Sequence, residues 1–344
     1  MAPGPPRHDV RPRGYGDDVS GTDEVLDWLV ASDPAISWQA LRDIAKAPAA
    51  RWRAERRRVE FEGWGAQLLA LEDDDGQWAG GAFLPRDFDS DEWERVGQPW
   101  TATTYALSDL REFGVDPRSA RVQRAVALIG QSARWDHAGQ PFWEGEVEEC
   151  INGRTVADGS YFGVDMSPLV ERLLGERLPD GGWNCERANG SVRSSFASTI
   201  NVLEGLLAYE RAGGDAPRVR EARRAAEEFL LERHLFRRLR TGEIADDSFA
   251  RLTHPSRWRY DVLRALDYFR DANETRDARL GEAILHVRSR RQSDGRWLLE
   301  ERAPGRVWFH VDDGVGQPSR WITLRARRVL AWWDQPGNPA AAAT

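Results

Sequence analysis

Apolar residues recur at three- and four-residue steps through most of the chain, a spacing typical of amphipathic helices. Val219, Ala222, Ala226, Phe229 and Leu230 form one such stripe. Five segments of this kind carry a charged opposite face: "RWRAERRRVEFEGWGAQLLALE", "RVQRAVALIGQSA", "SPLVERLLGERL", "RVREARRAAEEFLLERHLF" and "RLGEAILHVRSRRQ". No segment shows sustained alternation with a period of two, so we predict an all-α fold.

A second kind of segment is less charged and alternates with the first. Six are found: "ISWQALRDIA", "WTATTYALSDLREFG", "CINGRTVADGSYFG", "SSFASTINVLEGLLAYERAG", "RWRYDVLRALDYFRDA" and "SRWITLRARRVLAWW". Ser, Thr, Pro and Gly near their starts are typical helix caps, and Gly114, Gly163 and Gly213 follow three of their ends. Six helix pairs can close into an (α/α)6 toroid, with six inner helices inside six outer ones. An open superhelix is the alternative.

The periodic pattern occupies residues 23–334, which we predict to be a single domain. Residues 1–22 are rich in Pro, Gly and charge and have no apolar stretch typical of a secretory signal. They are predicted to be a disordered lead-in, and residues 335–344 a disordered tail.

Composition narrows the functional classes. The net charge of −8 argues against nucleic acid as the main partner. No apolar run reaches the roughly 18 residues that a membrane span requires. Two cysteines in 344 residues do not form a disulfide framework, so we expect a reducing, cytoplasmic setting.

An Asp-Gly-x-Trp motif occurs three times, at residues 75–78, 180–183 and 294–297. Each copy follows a charged segment and leads towards one of the second kind. Gly allows the positive φ of a tight turn, Asp can accept from backbone N–H groups, and Trp can fill the space between helices. We therefore predict a mainly structural role for this motif, which does not account for Cys185 after the second copy.

These features resemble the terpenoid cyclase and protein prenyltransferase superfamily, whose repeats carry a Gln and Gly-x-Trp signature called QW. Residues 292–297, "QSDGRW", match it, while the two other copies lack the Gln. The chain is also similar, over about residues 22–333, to bacterial proteins described as squalene-cyclase-like. In this chain, the segments that carry the similarity are "DPAISWQALRD", "LPDGGWNC", "TINVLEGL", "RWRYDVLRALDYFR" and "GQPSRWITLRARRVL".

The resemblance implies an α/α toroid that binds, and in an enzyme converts, an isoprenoid or other apolar substrate in its central cavity. The Asp-x-Asp-Asp acid of the cyclases has its nearest counterpart at residues 89–92, "DSDE", in a stretch predicted to be a surface loop. An Asp-Asp-x-x-Asp motif for magnesium diphosphate is missing from the sequence. A toroid that binds a lipid, peptide or protein without catalysis is the alternative.

Charged and aromatic residues of the second kind of segment are the candidate site. Asp158 is the candidate acid, near Tyr161, and His254 is a candidate proton carrier. Arg154 lies one helical turn from Asp158, and Asp261 lies similarly close to Arg264. Each of these two pairs can be a buried structural ion pair rather than part of a functional site. The predicted substrate-binding residues are Trp100, Tyr105, Arg154, Trp258, Tyr260, Asp261 and Trp321.

A zinc-dependent transferase is a further alternative. The resemblance places Cys150 where the prenyltransferases have a zinc-binding Cys, but Ala197 stands where they have a His. Glutamates also replace the basic residues that would bind diphosphate. Cys150 and Cys185 fall at the same end of consecutive repeats, so with Glu148, Glu149 or His310 they could bind Zn²⁺. Two buried thiols are the simpler interpretation.

Overall fold

The structure is a computed structural model that describes residues 23–214, 216–272 and 276–336. The predicted lead-in at 1–22 and residues 337–344 of the predicted tail lie outside these ranges. The α-helices of the described ranges are α1 (Glu24–Val30), α2 (Pro34–Asp43), α3 (Ala49–Arg58), α4 (Gly63–Leu69), α5 (Ser90–Val96), α6 (Thr103–Phe113), α7 (Ala120–Ser132), α8 (Glu149–Phe162), α9 (Ser167–Gly175), α10 (Phe196–Arg211), α11 (Ala216–Leu231), α12 (Val262–Ala272), α13 (Gly281–Ser289) and α14 (Arg320–Trp333).

The prediction of an all-α protein is confirmed for the described residues. Their only β-structure consists of isolated bridges. Short 3-10 helices cover Phe142–Glu144, Cys185–Arg187, Asp247–Ala250 and Ala278–Leu280. No helix in the described ranges has both the length and the apolar character needed to cross a membrane.

The six segments of the second kind form α2, α6, α8, α10, α12 and α14. Each of these helices contacts the next one in this order, and α14 contacts α2. They line one cavity and are here termed the cavity helices. The charged segments form α3, α4, α7, α9, α11 and α13, which pack against cavity helices.

The first charged segment is divided into two helices, α3 and α4, rather than one. Gly63 has φ of +66° and interrupts the helical path. The Asp33 carboxylate accepts from the backbone N–H of Trp64 at 2.8 Å and so satisfies a donor in the first turn of α4. Of the two helices, α4 buries Leu68 and Leu69, whereas no residue of α3 is buried.

Cavity helices α8 and α10 pack at very short range. A Cβ atom added to Gly153 would lie 2.5 Å from the carbonyl oxygen of Asn201, and one added to Gly205 would lie 2.3 Å from that of Gly153. Real Cβ atoms do not approach so closely, so both glycines permit the contact between the two helix backbones.

The Asp-Gly-x-Trp motif has the structural role that its composition predicts. Gly76, Gly181 and Gly295 have φ of +82°, +103° and +83°. Each Trp indole N–H donates to a carbonyl ten residues earlier, at 2.8, 2.7 and 2.7 Å for the three copies. Each Trp backbone N–H donates to a buried Thr hydroxyl near the start of the next cavity helix, at 3.1, 3.2 and 3.0 Å. The Trp of each motif thereby connects the preceding helix to the next cavity helix.

Candidate functional site

The cavity between the six cavity helices has a volume of about 560 Å³. Small-molecule sites usually have about 300–1,000 Å³, so the space is adequate for a ligand. Its lining comes from the middle and the C-terminal parts of these helices and from the segment 255–257. The charged residues among the lining are Arg42, Arg111, Arg154, Arg211, Arg257, Arg264, Arg270, Arg325 and Arg328, with Asp109, Glu112, Glu204, Asp267 and Asp271.

Towards the C-terminal ends of the helices, these charges form ion pairs. Asp267 accepts from Arg270 at 2.8 Å and from both Nε and Nη2 of Arg328. Burial opposes the ionisation of Asp267, but these arginines outweigh it and hold the pKa well below its usual range. Arg211 and Asp271 form a more exposed pair at 2.8 Å. The C-terminal ends of α10, α12 and α14 also bear partial negative charge, which favours arginine here.

Deeper in the cavity, Asp158 is held by residues of α6. Its Oδ1 accepts from Arg111 Nε and its Oδ2 from the Ser108 hydroxyl, both at 2.7 Å. Asp158 is 1% exposed, and Arg111 lines the cavity. The predicted ion pair with Arg154 is not among those of the described residues, because Arg111 from the neighbouring helix takes its place. Asp158 is thus held by Arg111 and Ser108 behind the cavity wall.

Two further carboxylates at the cavity are paired with arginines. Glu204 contacts Arg264 at 2.7 Å, and this arginine overcomes the effect of burial to lower the pKa of Glu204. Asp109 contacts Arg257 at 2.9 Å, but burial dominates and raises the pKa of Asp109. Asp261 does not face Arg264 as a simple ion pair. Its Oδ1 accepts from the backbone N–H of Arg264 at 2.9 Å and caps α12.

Arg154 differs from the other arginines of the cavity wall. No carboxylate of the described residues lies within ion-pair distance of it. Its Nη1 donates to the carbonyl of Arg257, and its Nε is buried without a partner. Burial lowers its pKa, although Asp158 acts in the opposite direction. A guanidinium remains charged in proteins, so a cation without a direct counter-ion faces the cavity.

The predicted aromatic residues lie mostly outside this cavity. Of the candidate residues, Arg154 and Tyr161 line it. The Tyr161 hydroxyl donates to the Val115 carbonyl at 2.5 Å and accepts from Arg56 at 2.9 Å, so it is already engaged. Trp100 and Tyr105 stack edge to face with centroids 5.0 Å apart.

The remaining aromatic candidates also have structural surroundings. Tyr260 is buried, and its hydroxyl donates to the Leu235 carbonyl at 2.5 Å. Trp258 is 38% exposed. Trp321 is buried and stacks on His254, with ring centroids 4.7 Å apart and planes at 19°. These rings do not form a joint lining of the cavity.

His254 is buried, and its Nδ1 has no hydrogen-bond partner within the described ranges; it lies 3.9 Å from Glu112 Oε1. Burial lowers the pKa of His254 to about 3. The positive charges of Arg325 and Arg257 also lower this pKa, whereas the negative charge of Glu112 raises it. Glu112 contacts Arg325, and its pKa is held at about 2 despite burial. His254 is therefore neutral at neutral pH, which removes the proton it would need to act as an acid.

The neutral state of His254 predicts a pH dependence of stability. Its pKa falls from 6.5 to about 3 on folding, so the unfolded chain binds more protons between these pH values. The contribution of His254 to the free energy of unfolding is fully present above pH 6.5 and is lost as the pH falls. Urea unfolding compares the wild type with His254→Phe, which keeps the stacked ring. Below about pH 6, the free energy of unfolding of the wild type should fall by up to about 1.4 kcal/mol more per pH unit than that of the variant. Parallel curves for the two proteins would contradict this.

A second, much smaller pocket lies beside His254 and holds His310. It has a volume of about 20 Å³, close to the space of one water molecule. His310 Nδ1 lies 3.0 Å from Arg302 Nη1, and burial and Arg302 both lower its pKa. Burial raises the pKa of Asp312 in the same pocket to about 7. The predicted grouping of His310 with the two cysteines is not found, because their ligand atoms meet that of Glu148 and not that of His310.

Cys150 and Cys185 meet at the N-terminal end of α8, with Glu148 beside them. The thiol and carboxylate atoms of these three residues all lie within 4.8 Å of one another. The contact with Cys185 and burial raise the pKa of the Cys150 thiol well above its usual value. Glu149, the other glutamate considered for this set, is instead paired with Arg187 at 2.7 Å.

The string at residues 89–92 does not reach the cavity. Asp89 caps α5 by accepting from the backbone N–H of Asp91 at 2.9 Å, so this stretch begins a helix rather than forming a loop. All four residues lie on the surface or are partly exposed.

Sequence reasoning missed most of the charged lining. Arg111, Glu112, Glu204, Arg325 and Arg328 were not singled out. The available signal was charge inside segments that are otherwise apolar and lack a single charged face. Such residues must be paired or must face a cavity, because isolated buried charge is very costly.

Comparisons of the chain with protein-family models and with curated proteins found no match.

Proposed function

We propose that this protein is an α/α toroid, related to the terpenoid cyclase and prenyltransferase superfamily, that binds a small anionic molecule in its central cavity. The observation that carries the proposal is Arg154, an arginine of the cavity wall for which the described residues provide no carboxylate partner. The ligand class is an oxyanion, either a carboxylate or a phosphate.

The toroid is supported by the order of helix contacts. Every cavity helix contacts its successor, and the last one, α14, contacts the first one, α2. An open superhelix would leave its first and last repeats apart. The QW-like motifs between paired helices are a second feature shared with that superfamily.

The anionic ligand is supported by two unmatched groups on α8. Arg154 Nε and the Ser160 hydroxyl are both buried and find no hydrogen-bond partner in the part of the chain that the structure describes, and both residues line the cavity. Buried polar groups in proteins are nearly always hydrogen bonded, and an orphan calls for a partner. A carboxylate or phosphate would accept from the guanidinium and from the hydroxyl, in the strong charge-assisted manner.

The cavity favours a charged ligand over a wholly apolar one. Most of its wall consists of arginines, carboxylates and hydroxyls, and Trp38, Leu207 and Tyr268 are among its few large apolar groups. An apolar ligand would displace the water that contacts these polar groups and would form no hydrogen bonds in its place. An isoprenoid therefore suits this cavity only through a diphosphate group.

Arg154→Met tests the proposal, because methionine keeps much of the alkyl stem but removes the cation. We expect phosphate, diphosphate or a dicarboxylate such as succinate to bind the wild type and raise its thermal midpoint. The affinity should fall about 10- to 150-fold in the variant, the equivalent of one or two charged hydrogen bonds. Isothermal titration calorimetry with these anions, farnesyl diphosphate and farnesol measures this.

Arg57→Met is the matched control, since Arg57 is an exposed arginine of α3 away from the cavity. Its anion affinity should equal that of the wild type. Arg154→Lys should recover part of the affinity because it restores the charge. Anion binding that is equal in Arg154→Met and wild type would contradict the proposal, as would binding of farnesol alone.

A further inference from the structure

Glu148, Cys150 and Cys185 form a group of metal-ligand atoms at the N-terminal end of α8. Cys150 Sγ lies 3.6 Å from Glu148 Oε2, and the Cys185 sulfur is within 4.8 Å of both. Among the residues that the structure describes, no other group of three His, Cys, Asp or Glu residues meets this spacing. The three residues come from two consecutive helical repeats, so the fold itself brings them together.

Two hydrogen bonds fix the position of the Cys185 sulfur. Its sulfur accepts from the backbone N–H of Cys150 at 3.3 Å and from the Ser198 hydroxyl at 3.2 Å. Ser198 is buried and is itself held at 2.9 Å from the Ser195 hydroxyl at the start of α10. Hydrogen bonds of this kind orient a ligand atom towards a metal site.

No basic side chain of the described residues forms an ion pair with this group. Two thiolates and a carboxylate would repel one another, and the ion pairs of the described residues leave Glu148 without a basic partner. The nearby Arg187 is paired with Glu149 and Glu176 instead. A divalent cation would supply the missing positive charge.

We propose that Glu148, Cys150 and Cys185 bind one Zn²⁺ ion. Thiolate sulfur together with carboxylate oxygen suits zinc, whereas calcium and magnesium prefer oxygen ligands alone. Three protein ligands leave the fourth tetrahedral position for water or for a ligand atom. This is the arrangement of zinc sites that take part in chemistry, while structural sites usually have four protein ligands.

Metal analysis of the reduced protein tests this proposal. We expect about one zinc per chain after equilibration with ZnSO₄ and gel filtration, and X-ray absorption should show sulfur neighbours at about 2.3 Å. Binding of Co²⁺ should give thiolate charge-transfer absorption. Glu148→Gln should weaken zinc binding at least about tenfold, and Cys185→Ser by more, because each loses a direct ligand.

Glu148 is exposed, so its variant keeps the proposal testable even where a cysteine variant fails to fold. Glu144→Gln is the matched control, since Glu144 is an exposed carboxylate of the same segment outside the ligand group, and it should retain wild-type affinity. Zinc affinity of Glu148→Gln equal to that of the wild type would overturn the assignment. So would reduced wild-type protein free of zinc, with a Cys150–Cys185 disulfide found by mass spectrometry after air oxidation.

Discussion

Replacing Trp183 by alanine is expected to lower the free energy of unfolding by about 3–5 kcal/mol, the usual cost of deleting a buried Trp side chain. The Trp183 side chain is fully buried. Its indole N–H donates to the Leu173 carbonyl at 2.7 Å, and its backbone N–H donates to the Thr199 hydroxyl at 3.2 Å. The substitution leaves a large cavity between α9 and α10 and an unsatisfied carbonyl. Urea unfolding followed by circular dichroism measures the change.

Two other variants separate the parts of this effect. Trp183→Phe keeps an aromatic ring but removes the indole N–H. It should therefore lower the free energy of unfolding, but by less than the alanine variant does. Trp93→Ala is the control, because Trp93 is 40% exposed and belongs to no repeat. We expect its effect to stay below about 1 kcal/mol. Similar losses for Trp93→Ala and Trp183→Ala would contradict the bracing role of the repeated Trp.

Asp158→Asn is expected to lower the free energy of unfolding by about 3 kcal/mol, although the two side chains have nearly the same shape. Asparagine would leave the Arg111 guanidinium facing an amide in place of the anion that now accepts from it at 2.7 Å. Breaking a buried ion pair from one side usually costs about 3–5 kcal/mol, and partial exposure of Arg111 to the cavity places the value at the lower end. Chemical unfolding again measures it.

The exposed pair Arg211–Asp271 provides the control for this prediction. Asp271→Asn should cost less than about 1 kcal/mol, because both side chains of the pair are about half exposed. Arg111→Met combined with Asp158→Asn should be more stable than Asp158→Asn alone, since it removes the orphaned charge. Unchanged stability of Asp158→Asn would instead favour Asp158 as a group free to exchange protons, as a catalytic acid must be.

The candidate acid and the candidate proton carrier were chosen on sequence grounds for their charge and position. In the structure, Asp158 is held by Arg111 and Ser108, and His254 is stacked and neutral. Neither arrangement is visible in the sequence, because the partners lie some 50 to 70 residues away. Catalysis by these two residues therefore stays a prediction without support from their surroundings.

The sequence by itself determined the helical class, the positions of the six cavity helices and the bracing turns. These features depend on local rules: three- and four-residue periodicity, caps, and glycine at positive φ. Tertiary structure alone decided which charges meet, because side chains such as Asp158 and Glu204 find partners on neighbouring helices rather than on their own. It left Arg154 facing the cavity without a carboxylate and brought Cys185 to Cys150 and Glu148. The second Asp-Gly-x-Trp motif is thus structural, whereas the cysteine after it belongs to a different, long-range arrangement.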